Sequence, residues 1–363
     1  LHRLIRRQRQ MCIRDRHIII ANDLDEAGYL YNDLVQINGN DHILLFPSGY
    51  KRDIKYGQPD PPSEILRTEV LNRLCQKGES LLIVTYPEAI AEKVVPVNML
   101  SEQTLHIDKN SKCDIITLSD KLRERGFEEV DYVYEPGQFA VRGSILDVFS
   151  YTNELPYRID FFGKEVESIR TFEVETQLST GKLEEVYIVA NVCGQEASGI
   201  SILDFIDKNT ILICHNLSWV IDRISTIASE SLSEQTLIAE EGDRYAMQKI
   251  IDVTAFQKKI TTFRRIDYGT SSEANAPAVI RFNCTPQGVY HKNFDLVSQS
   301  FSQFIEKGYT LYILSDSEKQ IERLQAIFEE RGDSISFTPV LKTLHEGFVD
   351  NDLKIGCFTD HQI

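Results

Sequence analysis

No apolar run in this sequence approaches the roughly 18 to 20 residues that a membrane-crossing helix needs, so the chain reads as one that does not enter a bilayer. It also lacks G-x-x-x-x-G-K-[ST], the loop whose amides and lysine neutralise nucleotide phosphates, which removes the usual signature of an α/β nucleotide hydrolase. G-x-S-x-G, H-E-x-x-H and G-x-G-x-x-G are missing as well, and with them the common hydrolase, zinc-protease and dinucleotide motifs. The eight histidines lie apart in sequence and read as surface or satisfied core residues rather than catalytic ones. Cys12, Cys75, Cys113, Cys193, Cys214, Cys284 and Cys357 occur singly, without a C-x-x-C pair or a histidine at zinc-site spacing. An odd number of dispersed thiols suits small buried hydrophobes in a reducing compartment, so the expected location is cytoplasmic, with no metal and no cofactor. No catalytic residue is assigned.

What is present is a 363-residue chain with 42% apolar and 26% charged residues, enough for two to four globular domains. Residues 1–16, LHRLIRRQRQMCIRDR, stand apart from the rest. Their six arginines and one aspartate contribute +5 to a total of −16, so the remainder carries −21. The stretch has no apolar h-region and is not a secretory signal. A basic nucleic-acid arm is one reading, and a non-native cloning or assembly remnant is the expected one. A body so acidic repels phosphate backbones, and DNA binding by it would need a local basic patch.

The remaining pattern predicts an α/β class: a parallel-sheet module with an inserted, mainly antiparallel β domain, then a second small α/β domain. Strand and helix alternate over 17–113, where HIII, HILLFPS and SLLIVTYP read as buried strands. Asn22 or Asp23 is the expected cap of the first helix, and Ser63 of the second. Over 114–195 a helix starting near Ser119 and ending at Gly126 precedes short strands joined by tight turns. Gly163-Lys164 suits a two-residue hairpin loop that sets Phe161 opposite Val166. The α/β pattern returns over 196–266, residues 267–279 are small and polar like a linker, and 280–363 form the last domain. There, Phe294, Val297, Phe301 and Phe304 stripe one helix, and the next is capped near Ser315 or Asp316. The chain is expected to be a fragment truncated within that domain.

Within the β insert, alternation turns Tyr157, Ile159 and Phe161 inward and leaves Arg158, Asp160 and Phe162 together on the other face. In FAVRGSIL the same parity turns Phe139 and Val141 in and Arg142 out. Arginines beside a solvated aromatic ring have the composition of a protein-binding hot spot. Two readings stay open on these grounds: a docking surface, or an ordinary solvated face with Phe162 covered by a nearby loop.

EPGQFAVRGSILDVFS followed by ELPYRIDFFGKEVESIRTFEVETQLS closely resembles the signature shared by the bacterial transcription-repair coupling factors (Mfd) and the excision repair protein UvrB. LLFPSGYKRDIKYGQPDPPSEILRTEVLNRL and LLIVTYPEAIAEKVVP, upstream, are similar to the coupling-factor family too, so the resemblance runs from about residue 17 to the end. UvrB is the alternative, but it carries a phosphate loop near its start and passes directly to helicase motifs. Here the module is followed by an α/β unit ending in LHEGFVDNDLKIGCFTDHQI, similar to domain 3 of the coupling factors. The resemblance implies UvrB-like domains 1a (17–113), 2 (114–195) and 1b (196–266), then domain 3, as the N-terminal part of a transcription-coupled nucleotide excision repair factor. It implies that domain 2 binds UvrA through Arg142, Arg158 and Phe162. RNA polymerase and DNA would be engaged by domains further along, as would ATP and Mg by a DNA-translocating motor. A C-terminal domain would act as an intramolecular lid over the UvrA-binding face. The competing expectation is a nucleotide-binding α/β enzyme fragment with an atypical site.

Overall fold

The computed structural model describes residues 16–50, 60–76, 78–109, 111–153, 155–190, 199–237, 250–269 and 278–363. The basic stretch up to residue 15, with Cys12, lies outside them, as do Cys193 and most of the expected linker. The architecture is mixed α/β, as predicted. By internal packing the chain divides into two units, residues 1–24 with 44–268, and residues 25–43 with 269–363.

The first unit is built on a five-stranded sheet of β1 (Arg16–Ile20), β2 (Ile43–Leu45), β3 (Leu81–Thr85), β12 (Ile211–Cys214) and β13 (Arg264–Asp267), in the order β13-β12-β1-β3-β2. β1 runs parallel to β3 and β12, and β12 parallel to β13. Ile18, Ile20, Leu81, Ile83, Val84 and Leu212 are buried, as continuous apolar runs in covered parallel strands should be. β1 begins at Arg16, the last residue of the stretch set apart by its charge, and the Arg16 guanidinium donates to the carbonyls of Leu74 (2.7 Å) and Gln76 (2.5 Å). Chain order then brings α1 (Leu24–Asn38) and α2 (Pro61–Cys75). α2 starts at Pro61, not at a Ser63 cap: proline fits the first helical position because it has no N–H to leave unpaired, and Ser63 instead donates back to Asp60 at 2.6 Å.

Beside β2 and β3 lies a buried ion pair. Arg67 meets Glu92 at 3.1 Å, donates to the carbonyls of Pro47 (2.8 Å) and Ala89 (3.2 Å), and stacks its guanidinium 4.3 Å over Phe46. Glu92 also accepts from the Gly49 amide (3.0 Å) and from the Ser48 hydroxyl. The Tyr86 hydroxyl accepts from the Ser48 amide at 2.8 Å, and its burial pushes its pKa up to about 12. These charges are mutually satisfied, which is the condition for keeping them inside.

The same unit carries the β insert. Its six-stranded sheet comprises β5 (Glu128–Glu129), β6 (Gln138–Arg142), β7 (Ile145–Val148), β8 (Tyr157–Phe162), β9 (Glu165–Phe172) and β10 (Ser179–Leu183), ordered β10-β9-β8-β7-β6-β5. All these pairs are antiparallel except β5 with β6. An antiparallel ribbon of β4 (Thr104–Asp108) and β11 (Glu185–Val189) and a helix over Ile115–Glu124 share its core, in which Leu105, Ile107, Leu118, Leu122, Phe139 and Ile159 pack together. The ribbon therefore reaches back ahead of the expected boundary at 114. That helix starts a turn earlier than Ser119, because the Asp114 carboxylate accepts from the Ile116 amide (3.1 Å) as a cap, and Ser119 points back to the Ile115 carbonyl at 2.8 Å.

The second unit has a mixed five-stranded sheet ordered β14-β17-β18-β15-β16, formed by β14 (Cys284–Pro286), β15 (Thr310–Leu314), β16 (Thr338–Val340), β17 (Phe348–Asp350) and β18 (Ile355–Thr359). The helix over Phe294–Glu306 buries Val297 and Phe301 against Ile313, Phe328 and Phe358, so the expected stripe is a core face. The next helix runs Glu318–Glu330 behind Ser317, while Ser315, an expected cap, donates to Asp360 at 2.6 Å. Helix α1 packs within this unit: the Tyr29 ring stacks on His345 at 3.5 Å, and Asp33 accepts from the His345 amide at 2.7 Å.

Candidate partner-binding surface

Two glycine-led hairpins build the surface. Gly143 (φ +64°) and Gly163 (φ +65°) occupy the left-handed region that non-glycine residues enter at a cost, and each turns the chain in two residues. The first fixes Arg142 opposite Ile145, and the second sets Phe161 opposite Val166, the register read from the sequence. Across the sheet the ladder then runs Ala140, Asp147, Arg158, Arg170, with Arg142, Ile145, Asp160, Ser168 beside it. Strand parity places all eight on the face away from Phe139, Leu146, Ile159 and Ile169, and Phe162 ends β8 on that same face.

Phe162 is 80% exposed, so no loop covers it, whereas Phe161 next to it is 4% exposed. Arg158 and Arg142 share the face but differ in state. Arg158 forms a two-pronged pair with Asp147, Nε to Oδ1 at 2.7 Å and Nη2 to Oδ2 at 2.8 Å, and its Nη1 donates to the Gln177 carbonyl at 3.0 Å. Its guanidinium also stacks 4.3 Å over Phe172, and only 13% of the side chain is exposed. The hydrogen bonding that Arg158 donates to Asp147 leads in holding the Arg158 pKa above its ordinary value. Asp147 is 1% exposed and takes a third donor, Nη2 of Arg142. The Arg142 side chain is 35% exposed and lies with its guanidinium 5.0 Å over the ring of Tyr132. Next to this cluster, Asp160 is bound by Arg170 and by the Ser168 hydroxyl (2.5 Å).

A second, smaller core explains the asymmetry. Val133, Ala140, Phe149 and Phe172, with Val130 and Val174 at the margin, roof the end of the face around Arg158. Gln177 is held there at φ +58°, an uncommon backbone for a non-glycine residue, with its carbonyl on Arg158. The hairpin end, with Phe162, stays bare. The three residues singled out in the sequence thus lie on one face, but only Phe162 and Arg142 are substantially open, and both arginines already meet a carboxylate within the domain.

Asp147, Gln177 and Tyr132 are the parts of this site that sequence reasoning missed. Asp147 left a signal: between Leu146 and Val148 in SILDVFS, parity turns it outward, toward the arginines. Gln177 and Tyr132 left none, since their loops carry no periodicity. Elsewhere, among the described residues, no group of three or more His, Cys, Asp or Glu is placed to hold a metal ion, and no helix is long and apolar enough to cross a membrane.

Comparison with known proteins places this geometry. Residues 105–192 match the family described as UvrB interaction domain, a span that opens in β4 and closes just past β11. The chain is similar to a transcription-repair-coupling factor of Staphylococcus aureus (strain MRSA252), 22% identical over 420 residues, covering 95% of this chain and 36% of that protein. A Staphylococcus epidermidis protein of the same name is 19% identical over 393 residues, covering 91% of this chain and 33% of its own length. The chain thus spans about a third of the relatives it matches. Over most of its length the chain is similar to transcription-repair-coupling factors, and its residues 105–192 match the UvrB interaction domain family, the likeness its motifs implied.

Proposed function

We propose that this chain is the N-terminal, non-catalytic part of a transcription-coupled nucleotide excision repair factor, and that its β insert binds UvrA through the face bearing Arg142, Arg158 and Phe162. The observation that carries this reading is the bare Phe162 ring, held on a rigid hairpin beside a clamped arginine pair within the UvrB interaction domain. A ring that a monomer leaves 80% exposed while burying the ring beside it gains by being covered by a partner. On this reading UvrA offers an apolar pocket to Phe162 with carboxylate chemistry nearby.

In the longer parent, the ATP-driven motor, the contacts with DNA and stalled RNA polymerase, and a C-terminal domain that lids this face would lie outside the present chain. On this reading the chain itself is expected to bind UvrA. Titrating it with purified UvrA tests this directly. Binding by the wild-type chain, lowered by Phe162→Ala, supports the reading; no binding, or equal binding by the variant, defeats it.

A further inference from the structure

We propose that residues 111–113 are a positioning strap for Phe162: by pairing with the outer edge of its hairpin they hold the ring where a partner meets it. This rests on the reading of the face as the UvrA-binding surface. The need for a strap lies in the sheet itself. β7 begins at Ile145, opposite Asp160, and the ladder gains one more rung from the Phe161 amide to the Ser144 carbonyl at 2.9 Å. On the other side β10 stops at Leu183, opposite Ile169. Phe162 on β8 and Glu165 to Ser168 on β9 therefore project past both neighbouring strands as a two-stranded tip, which is marginal in water without a third strand. A β-bulge interrupts the ladder just below Phe162: Asp160 faces Ser168 and Phe161 faces Val166, so Glu167 is left over. The extra residue is what lets Val166 turn inward beside Phe161, since straight alternation from the buried Ile169 would send it out.

The third strand comes from elsewhere in the chain. Lys112 pairs with Glu165 in an antiparallel bridge on the open edge of β9, and the Cys113 amide donates to the Lys164 carbonyl, at the turn itself, at 3.0 Å. Both ends of this short segment are fixed. On one side the Asp108 amide donates to Ser111 Oγ and the Ser111 amide to the Asp108 carbonyl, each at 3.0 Å, which ties it to the end of β4. On the other side Asp114 caps the helix over Ile115–Glu124. Between them the Cys113 side chain packs against the core that holds Phe161 and Val166. Among the described residues no other segment pairs with the outer edge of β9 from Glu165 to Ser168. Phe162, directly opposite Glu165, thus has a braced backbone while its ring stays bare. A residue whose backbone is already ordered loses less freedom when a partner covers it, and that difference appears as affinity.

The experiment is a UvrA titration of the full 363-residue chain carrying Cys113→Pro, which removes the donated amide, Phe162→Ala, or both, with an unfolding midpoint for each. Cys113→Pro is expected to lose roughly 2- to 12-fold in affinity, the ratio that ordering one side chain commands. The double variant should bind no more weakly than Phe162→Ala alone, because the strap acts only through the ring. ¹⁵N relaxation of the Phe162 amide in the free protein should report a newly mobile tip in Cys113→Pro. A strap that merely supported the fold would lower the midpoint and leave both that mobility and the affinity of folded protein unmoved. Should Cys113→Pro fail to fold, Lys112→Gly/Cys113→Gly, which keeps the amide but frees the backbone, is read the same way with and without Phe162→Ala. Wild-type affinity or unchanged Phe162 mobility in the folded strap variant, or losses that simply multiply in the double variant, overturns the inference. If Phe162→Ala binds normally the UvrA reading itself fails; if Phe162→Ala loses binding while the strap variant does not, only the present inference does.

Discussion

Phe161 and Phe162 are consecutive, chemically identical and on opposite faces of one strand, and that pairing supplies a controlled test. Burying a phenylalanine side chain fully is worth roughly 1.5–3 kcal/mol. Phe162 keeps 80% of its surface in the free protein, so folding draws only about 0.3–0.6 kcal/mol from it, and covering the rest in a complex is worth about 1.2–2.4 kcal/mol. Phe162→Ala should therefore shift the denaturant midpoint barely at all while weakening UvrA binding roughly 7- to 50-fold. Phe161, 4% exposed and packed with Phe139, Ile159 and Val166, should behave in the opposite way. Phe161→Ala leaves a cavity and costs about 3–5 kcal/mol of stability, with near-normal affinity in whatever fraction stays folded. Urea melts of both variants, followed by calorimetric titration with UvrA under conditions where each is folded, read the two quantities separately. A Phe162→Ala protein that unfolds as easily as Phe161→Ala, or binds as tightly as wild type, would refute the argument that the exposed ring is present for a partner.

Two further outcomes follow from the buried charges of the first unit. Arg67→Ala leaves Glu92 buried without its guanidinium and should cost about 3 kcal/mol in a urea melt, without weakening UvrA binding by protein that remains folded. Tyr86, whose pKa is pushed up to about 12 by burial, holds its proton in the folded state after the unfolded chain has released it; stability is thus fully present below about pH 10 and falls as pH rises from there toward 12. Tyrosinate absorbance followed against pH should show late-titrating tyrosine, burial raising the Tyr157 pKa as well, and Tyr86→Phe should lower its amplitude by one residue; an unchanged amplitude in the variant would contradict the assigned burial.

Much of the candidate site was legible because pleat parity is local. The alternation from Tyr157 to Phe162 needs only six residues and one glycine-led turn to determine which side chains share a face, and the observed burial follows it residue by residue. Helix starts were less legible, since several residues can cap and the choice rests on neighbours: Pro61 displaced Ser63, and Asp114 displaced Ser119. What could not be read at all was the roof over Arg158. Val133, Phe149 and Phe172 come from three separate segments, and nothing periodic announces that they close over one end of an outward face. Helix α1 teaches the same lesson. Strand–helix–strand order assigns it to the first sheet, yet Tyr29 and Asp33 engage His345, more than three hundred residues away, which no local pattern encodes.

The half-roofed face also answers why an acidic chain would place arginines on the face proposed for docking. Free guanidinium groups beside a solvated ring would attract any polyanion, and long-range attraction of that kind is unselective. Here Asp147 offsets one of the two arginine charges and Asp160 is bound by Arg170, so a single positive charge is left to act at a distance. What remains besides it is short-ranged: the Arg142 N–H groups that do not donate to Asp147, an exposed tyrosine and an exposed phenylalanine, at positions that two hairpins and a buried carboxylate determine. Recognition by such a face depends on shape and desolvation more than on steering, and the affinity of the wild-type chain for UvrA should accordingly fall only weakly with added salt between about 0.05 and 0.5 M, where a charge-steered contact would lose most of its strength. Measured binding that collapses over that range would mean the internal pairing of these charges does not survive in the complex.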